Sequence, residues 1–385
     1  MLLLLGFSLG IVIHQIEVLT SASEKVRWFY DPGDLNAYYA PTAWVSGAGR
    51  LYREVFSEYP LLANVIFGSC RFVAEGIRSI SGGWIETRKA FDGVWISTAW
   101  VLYSWLAYRI YKRCSKQAVW IWLAPAPLYF TIFRYDIFPA IATFMALLYI
   151  RDSKYMRGAL CIGMAIALKG YALFLVPSYF VYVLQRRGMR DAVKIVGVCL
   201  APWVFGNLIV LLYGGWEGLV APYLFHSNRE LNGESTYDAI VYFTRFYRLK
   251  RISDYPWIAQ MLQVAFPLIA MALRPKTFQA LIDAFLISLL GFMSFSVFYS
   301  PQFLLWILPI ACFSNSRSIL RLCLISSWAT FLYFPVAYGV RFETLPLLDW
   351  TVPIGPWAFQ GLVTAIAVIR LMLMSISVRR ILMAA

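Results

Sequence analysis

Two aspartates three residues apart, Asp31 and Asp34, stand in the stretch VRWFYDPGDLNAYY at 26–39, separated by the turn signal Pro32-Gly33 and surrounded by aromatic residues. A carboxylate at a membrane surface among aromatic side chains is partly desolvated. That raises its basicity and suits it to take a proton as a general base. The same aspartates could cap the helix that follows, and two neighbouring acids can divide these roles. A second set of candidates lies inside apolar segments. TIFRYDIFPA holds Arg134, Tyr135 and Asp136, and IALKGYALFLVP holds Lys169, Gly170 and Tyr171. An unpaired charge there costs at least about 2.5–3.5 kcal/mol on insertion scales, so it must be paired or face a polar cavity. Two readings follow. Either Arg134 pairs with Asp136 and Lys169 with an acid elsewhere, or Arg134 and Lys169 hold a phosphate in a cavity through charge-assisted hydrogen bonds.

A third set sits in YLFHSNRELNGESTYDAI, where His226, Arg229, Glu234 and Ser235 crowd together beside Tyr223. Glu230, four residues after His226, completes a minimal metal pattern. No second histidine stands beside it, so the metal reading is a weak one. The open choices are a solvated loop or a contact with a lipid phosphate or sugar hydroxyl. Fourth, SPQFLLWILP places Gln302 at a helix start, where free backbone N–H groups and the dipole favour a ligand contact. Pro301 is equally ordinary helix punctuation. Arg71 and Asp283 lie near segment ends, where snorkelling explains them.

The elements that must position these residues are read from composition. The 385 residues are 61% hydrophobic and 14% charged, with a mean hydropathy of +0.65. That much apolar surface needs lipid as its solvent. Apolar runs recur from end to end without a linker, so the chain 1–385 reads as one integral membrane domain. The runs are continuous rather than alternating, which selects an all-α polytopic bundle over a barrel. They fall at about 1–20, 59–77, 91–108, 119–133, 136–150, 158–185, 192–213, 257–273, 278–298, 302–316, 319–338 and 353–374, giving about 10–12 membrane helices. Residues 1–18 carry no basic n-region and no small-residue cleavage site, and so read as a retained first helix. The net charge of +14 is distributed in short clusters between apolar runs, as the positive-inside bias predicts, and does not point to nucleic acid. The six cysteines have no paired spacing and read as small core residues.

The basic clusters at 109–116, 151–157, 186–190, 274–276, 317–321 and 379–380 mark one side of the membrane. Four connections then fall on the other: an outer loop at about 21–58, a second at about 214–256, the turn at 299–302, and 339–352. Short interfacial helices are expected in the two long loops. The first half does not alternate cleanly. If the basic groups at 78–89 and 109–116 share a side, the segment 91–108 cannot simply cross; either it lies partly in the interface or one basic loop is outside.

The fragments GDLNAYYAPTAWVSGAGRLYREVFSEYPLL, FRYDIFPA, GMAIALKGYALFLVP, FHSNRELNGES and SPQFLLWILP, in this order, resemble the GT-C superfamily of polyprenyl-phosphate-dependent glycosyltransferases. They look closest to glycosyltransferase family 87. The similarity runs from about 28 to 315, with one departure: such proteins often read Tyr-Pro-Pro where this chain has Tyr59-Pro60-Leu61. The resemblance implies a GT-C-like bundle in a bacterial plasma membrane. It implies a catalytic aspartate in the first outer loop, Asp34 by position with Asp31 beside it, and an active site facing outside. It further implies a polyprenyl-phosphate-linked sugar donor, mannose first, a glycolipid or glycan acceptor, inversion at the sugar carbon and chemistry without a metal. Donor phosphate and sugar would be held among Arg134, Asp136, Lys169, Tyr171, His226, Arg229, Glu234, Ser235 and Gln302. The competing reading from the residues alone is a transporter or flippase of lipid-linked glycans, or another polyprenyl-linked glycan polymerase or ligase. No inverted repeat of interrupted helices supports a transporter.

Overall fold

The computed structural model describes residues 32–337 and 356–384, with positions 6 and 9 alone before them. The expected first helix, Asp31 and the connection at 339–352 lie outside the described residues. The rest is helical. Fifteen α-helices are joined by 3-10 turns and short loops, and no strand occurs among the described residues. In chain order they are α1 (Pro32–Tyr39), α2 (Leu61–Ile80), α3 (Thr87–Arg113), α4 (Lys116–Trp122), α5 (Pro125–Phe133), α6 (Ile137–Arg151), α7 (Tyr155–Leu168), α8 (Val176–Arg187), α9 (Met189–Ser227), α10 (Thr236–Thr244), α11 (Pro256–Ala272), α12 (Phe278–Ser294), α13 (Leu304–Ala311), α14 (Arg317–Phe331) and α15 (Pro356–Ala384).

Sequence sets many of the boundaries. Ser115, Ser235, Thr277 and Ser316 cap α4, α10, α12 and α14 by accepting the N–H three residues on. Prolines open α5 and α11. α12 is the buried centre of the bundle, with Leu281, Ile282, Phe285, Leu286, Leu289 and Leu290 fully shielded. α7 packs against α9 at Gly163, where a Cβ would lie 2.7 Å from the Cys199 carbonyl oxygen and 3.0 Å from Pro202. Only glycine allows that approach. All six cysteines are free.

The chain shuttles between two ends of the bundle. At one end Arg151 donates to the Arg113 carbonyl at 2.8 Å, Arg186 donates to that of Lys276 at 2.8 Å, and Arg380 pairs with Asp283 at 2.9 Å. The basic clusters at the close of α3, α6, α8 and α11 gather here. The other end holds the breaks between helices: Arg134-Tyr135-Asp136 between α5 and α6, Lys169 and a 3-10 turn between α7 and α8, and the turn before α13. Non-helical backbone at membrane depth is stable where it lines a cavity.

Two findings differ from the sequence reading, and a third decides between alternatives that it left open. The apolar run 158–185 is not one helix. It turns back at Lys169-Gly170, so α7 and α8 form a hairpin. Cuts of this kind leave three helices among the described residues long and apolar enough to cross a membrane, and a fourth if α5 and α6, bent by 119°, make one span. Second, the α9 helix runs past 213 into the expected outer loop, kinked at Gly215, whose φ of 71° suits glycine. Third, the parity problem near 78–116 has a geometric answer. Arg88, at the start of α3, donates to Asn36 of α1, and Arg71 of α2 lies 4.4 Å over the ring of Tyr39. The basic group at 78–89 is therefore at the broken end, and α3 runs from there to the cluster at 109–116. Arg71 and Asp283 do not snorkel unpartnered. Arg71 pairs with Glu75 at 2.6 Å, and Asp283, 2% exposed, pairs with Arg380.

Candidate active site

The broken end of the bundle encloses a cavity of about 820 Å³. Asp34 reaches its wall from the first turn of α1, held from two directions. Arg134 Nε lies 2.9 Å from Asp34 Oδ2, and the Tyr38 hydroxyl donates to the same oxygen at 3.2 Å. Tyr38 is fully buried, stacked on Phe67 with centroids 4.7 Å apart, and its oxygen accepts the Tyr135 N–H at 3.3 Å. Burial, and then the Asp34 carboxylate, push the Tyr38 phenol well above its ordinary pKa. Tyr38 thus stays a hydroxyl, able to donate, across the working pH range. The carboxylate side chain keeps 32% exposure towards the cavity.

Arg134 is the residue at which α5 ends, with extended backbone at φ −131°, ψ 141°. That ending turns its guanidinium out of the helix and onto the cavity wall. Lys169 ends α7 in the same way, at φ −159°, ψ 119°. Its Nζ lies 2.7 Å from Asp136 Oδ1, over the ring of Tyr135 at 4.6 Å and that of Trp306 at 5.2 Å. Trp306 also donates its indole N–H to Asp136 Oδ1. Asp136 itself is fully buried behind Lys169, and its Oδ2 has no hydrogen-bond partner among the described residues. Of the two sequence readings, the pairing is thus crossed: Arg134 faces Asp34 rather than Asp136, and Asp136 serves Lys169. Tyr171 stacks on Trp306 at 4.6 Å and shares a 2.9 Å hydrogen bond with Thr143.

The opposite wall is built by the loop before α2 and the outer end of α9. Arg229 Nη2 lies 2.8 Å from Glu58 Oε2, and His226 Nε2 is 3.0 Å from the Glu58 carbonyl oxygen. Gln302 also lines the cavity, with its Oε1 buried and unbonded among the described residues. The structure therefore brings Asp34, Arg134, Lys169, Tyr171, His226, Arg229 and Gln302 onto one cavity, with Asp136 directly behind it. Glu234 and Ser235 are not on its wall. Glu234 accepts from the Tyr333 hydroxyl at 2.7 Å, and Ser235 caps α10. Glu58, Tyr59 and Trp306 line the cavity and were not singled out from the sequence. Glu58 offered one signal, an acid just before the Tyr59-Pro60 that opens α2. Among the described residues, no three His, Cys, Asp or Glu side chains are arranged to hold a metal ion.

Beyond the charged end, the cavity wall becomes apolar. Val65 of α2, Met164 of α7, and Phe205 and Ile209 of α9 line it, and all four are exposed. The charged pocket thus continues into an apolar stretch along α9, a helix long and apolar enough to cross a membrane. The model of glycosyltransferase family 87 matches residues 89–301, more than half of the chain. The chain belongs to glycosyltransferase family 87. No curated protein matches it. The matched segment of this glycosyltransferase holds both arginines of the cavity, Lys169, Asp136 and His226. Asp34 and Glu58 lie before it, brought to the same wall by the fold.

Proposed function

We propose that this glycosyltransferase moves a sugar, mannose first, from a polyprenyl phosphate to a glycolipid or glycan acceptor at the extracytoplasmic face, with Asp34 as general base. The observation that carries the reading is the cavity itself: two carboxylates, Asp34 and Glu58, and three cations on one part of its wall, and an apolar stretch along α9 on another. The isoprenoid tail lies along Val65, Met164 and Phe205, and the phosphate sits among Arg134, Lys169 and Arg229 with His226 beside them. Asp34 takes the proton of the acceptor hydroxyl. The oxygen attacks the anomeric carbon from the face opposite the phosphate, the bond from that carbon to the phosphate oxygen breaks, and configuration inverts. The cations stabilise the departing anion, so no metal is required for the leaving group. Each cation already leans on an acid, yet each has N–H donors beyond that contact: a guanidinium carries five and an ammonium three. Gln302 Oε1 offers an acceptor to a sugar hydroxyl.

Sidedness rests on the basic clusters, which lie at the end of the bundle opposite the cavity. With those clusters inside, the cavity faces outside. Vesicles containing the protein, supplied with radiolabelled polyprenyl-phosphate mannose and a lipid extract, test the reading. The expected outcome is labelled glycan from wild type and none from Asp34→Asn. Accumulation of the donor in the lumen without transfer would instead identify a transporter.

A further inference from the structure

A second pocket, of about 640 Å³, lies at the basic end, where α7, α8 and α9 meet. Lys154, Arg157, Arg187 and Lys194 surround it, with Asp191 the single acid on its wall. These four cations differ from those of the catalytic cavity. Arg134, Lys169 and Arg229 each have a carboxylate within ion-pair distance, whereas none of the four has one among the described residues. Arg187 is held over the ring of Tyr155 at 5.6 Å, which fixes its guanidinium at the pocket without neutralising it. Two helices also start here. α7 and α9 begin at Lys154 and Gly188 with no side-chain cap, so free N–H groups and two positive dipole ends add to the four charges. Uncompensated positive charge in one concavity repels itself, and a bound anion relieves that repulsion.

The surroundings select the kind of anion. Met156 lines the pocket and is exposed, and Leu160 follows one turn along α7, also exposed. A charged headgroup site is thus continuous with apolar surface that runs along α7. We propose that this pocket binds the headgroup of an anionic phospholipid, with its acyl chains along α7. The phosphate meets Arg157, Arg187 and Lys194. Asp191 accepts a hydroxyl from the headgroup, which makes phosphatidylglycerol the fitting probe. The proposal concerns the end of the bundle away from the cavity and stands whether or not the catalytic reading does.

Detergent-solubilised full-length protein is titrated with phosphatidylglycerol or phosphatidylcholine, and bound lipid is counted by native mass spectrometry. Wild type is expected to take up phosphatidylglycerol saturably and phosphatidylcholine not. A juxtamembrane charge contributes about fivefold to anionic lipid affinity, so Arg157→Gln with Arg187→Gln and Lys194→Gln is expected to lose about a hundredfold. All three side chains are exposed, so folding is retained. The control removes three exposed cations of the same end outside the pocket, Lys112→Gln, Arg321→Gln and Arg379→Gln, and is expected to bind as wild type. Equal loss in the control would overturn the proposal, because the effect would then be general surface charge. Glycerol phosphate or inorganic phosphate binding as tightly as the lipid would overturn it in favour of a soluble anion.

Discussion

The two ends of the bundle solve opposite problems with the same residue types. At the cavity end, charges sit deep in apolar surroundings and are matched: Arg134 with Asp34, Lys169 with Asp136, Arg229 with Glu58. At the basic end, Lys154, Arg157, Arg187 and Lys194 sit in water or among headgroups and go unmatched. The difference follows from the cost of desolvation. A buried cation without an acid is expensive, while an exposed one costs nothing and is drawn to the anionic leaflet. A matched site can hold its shape while empty and still offer spare donors to a ligand. An unmatched cluster has no fixed partner and waits for one.

That contrast can be broken in several ways. The largest effect is expected from Asp34→Asn, which keeps the shape of the side chain and removes the base. Transfer should fall by about a hundredfold or more in protein that still folds, with a lower melting temperature because the buried Arg134 loses its carboxylate; transfer near wild type would remove Asp34 from the mechanism. Lys169→Met comes next. It strips the counter-ion from a fully buried carboxylate, and stability should drop by about 3 kcal/mol while donor binding is lost. Adding Asp136→Asn should restore most of the stability and none of the donor binding, which separates the structural share of Lys169 from its share in holding phosphate. Thermal unfolding beside a donor-binding assay reads both. Gly163→Val probes the helices that join the ends. Its side chain would meet the Cys199 carbonyl, and stability should fall by about 2 kcal/mol. The smallest effect belongs to the basic end. Arg187→Gln with Lys194→Gln should alter stability in neutral detergent by no more than about 0.5 kcal/mol, since neither side chain has an acid to lose. A loss as large as that of Lys169→Met would erase the contrast between the ends.

What the sequence disclosed follows the same physics. Arg134 and Lys169 stood out because a charge inside an apolar run demands an explanation, and both lie on the cavity. The partners did not stand out. Asp136 is two residues from Arg134, and proximity along the chain favours pairing them, yet the break between α5 and α6 turns the two side chains apart. The hairpin of α7 and α8 was hidden because the run 158–185 is apolar on both sides of Lys169, and hydropathy does not register a reversal at Lys169-Gly170. The parity difficulty arose because counting positive charge treats Arg71, Arg78 and Arg88 like unpartnered residues. Arg71 and Arg88 are in fact paired with Glu75 and Asp92, at 2.6 and 3.1 Å. Glu234 and Ser235 sat in the right segment, but a crowded polar loop gives no hint of which side chains its own helix starts will consume.

The corner at Arg134-Tyr135-Asp136 carries one more implication. Three successive residues there reach α1, the end of α7 and α13: Arg134 to Asp34, Tyr135 to Tyr38 and the Leu168 carbonyl, Asp136 to Lys169 and Trp306. Losing or gaining a single amino acid at this point would shift the register of all three at once and hand each partner the wrong chemistry. The tripeptide thus acts as a keystone whose spelling and spacing matter together.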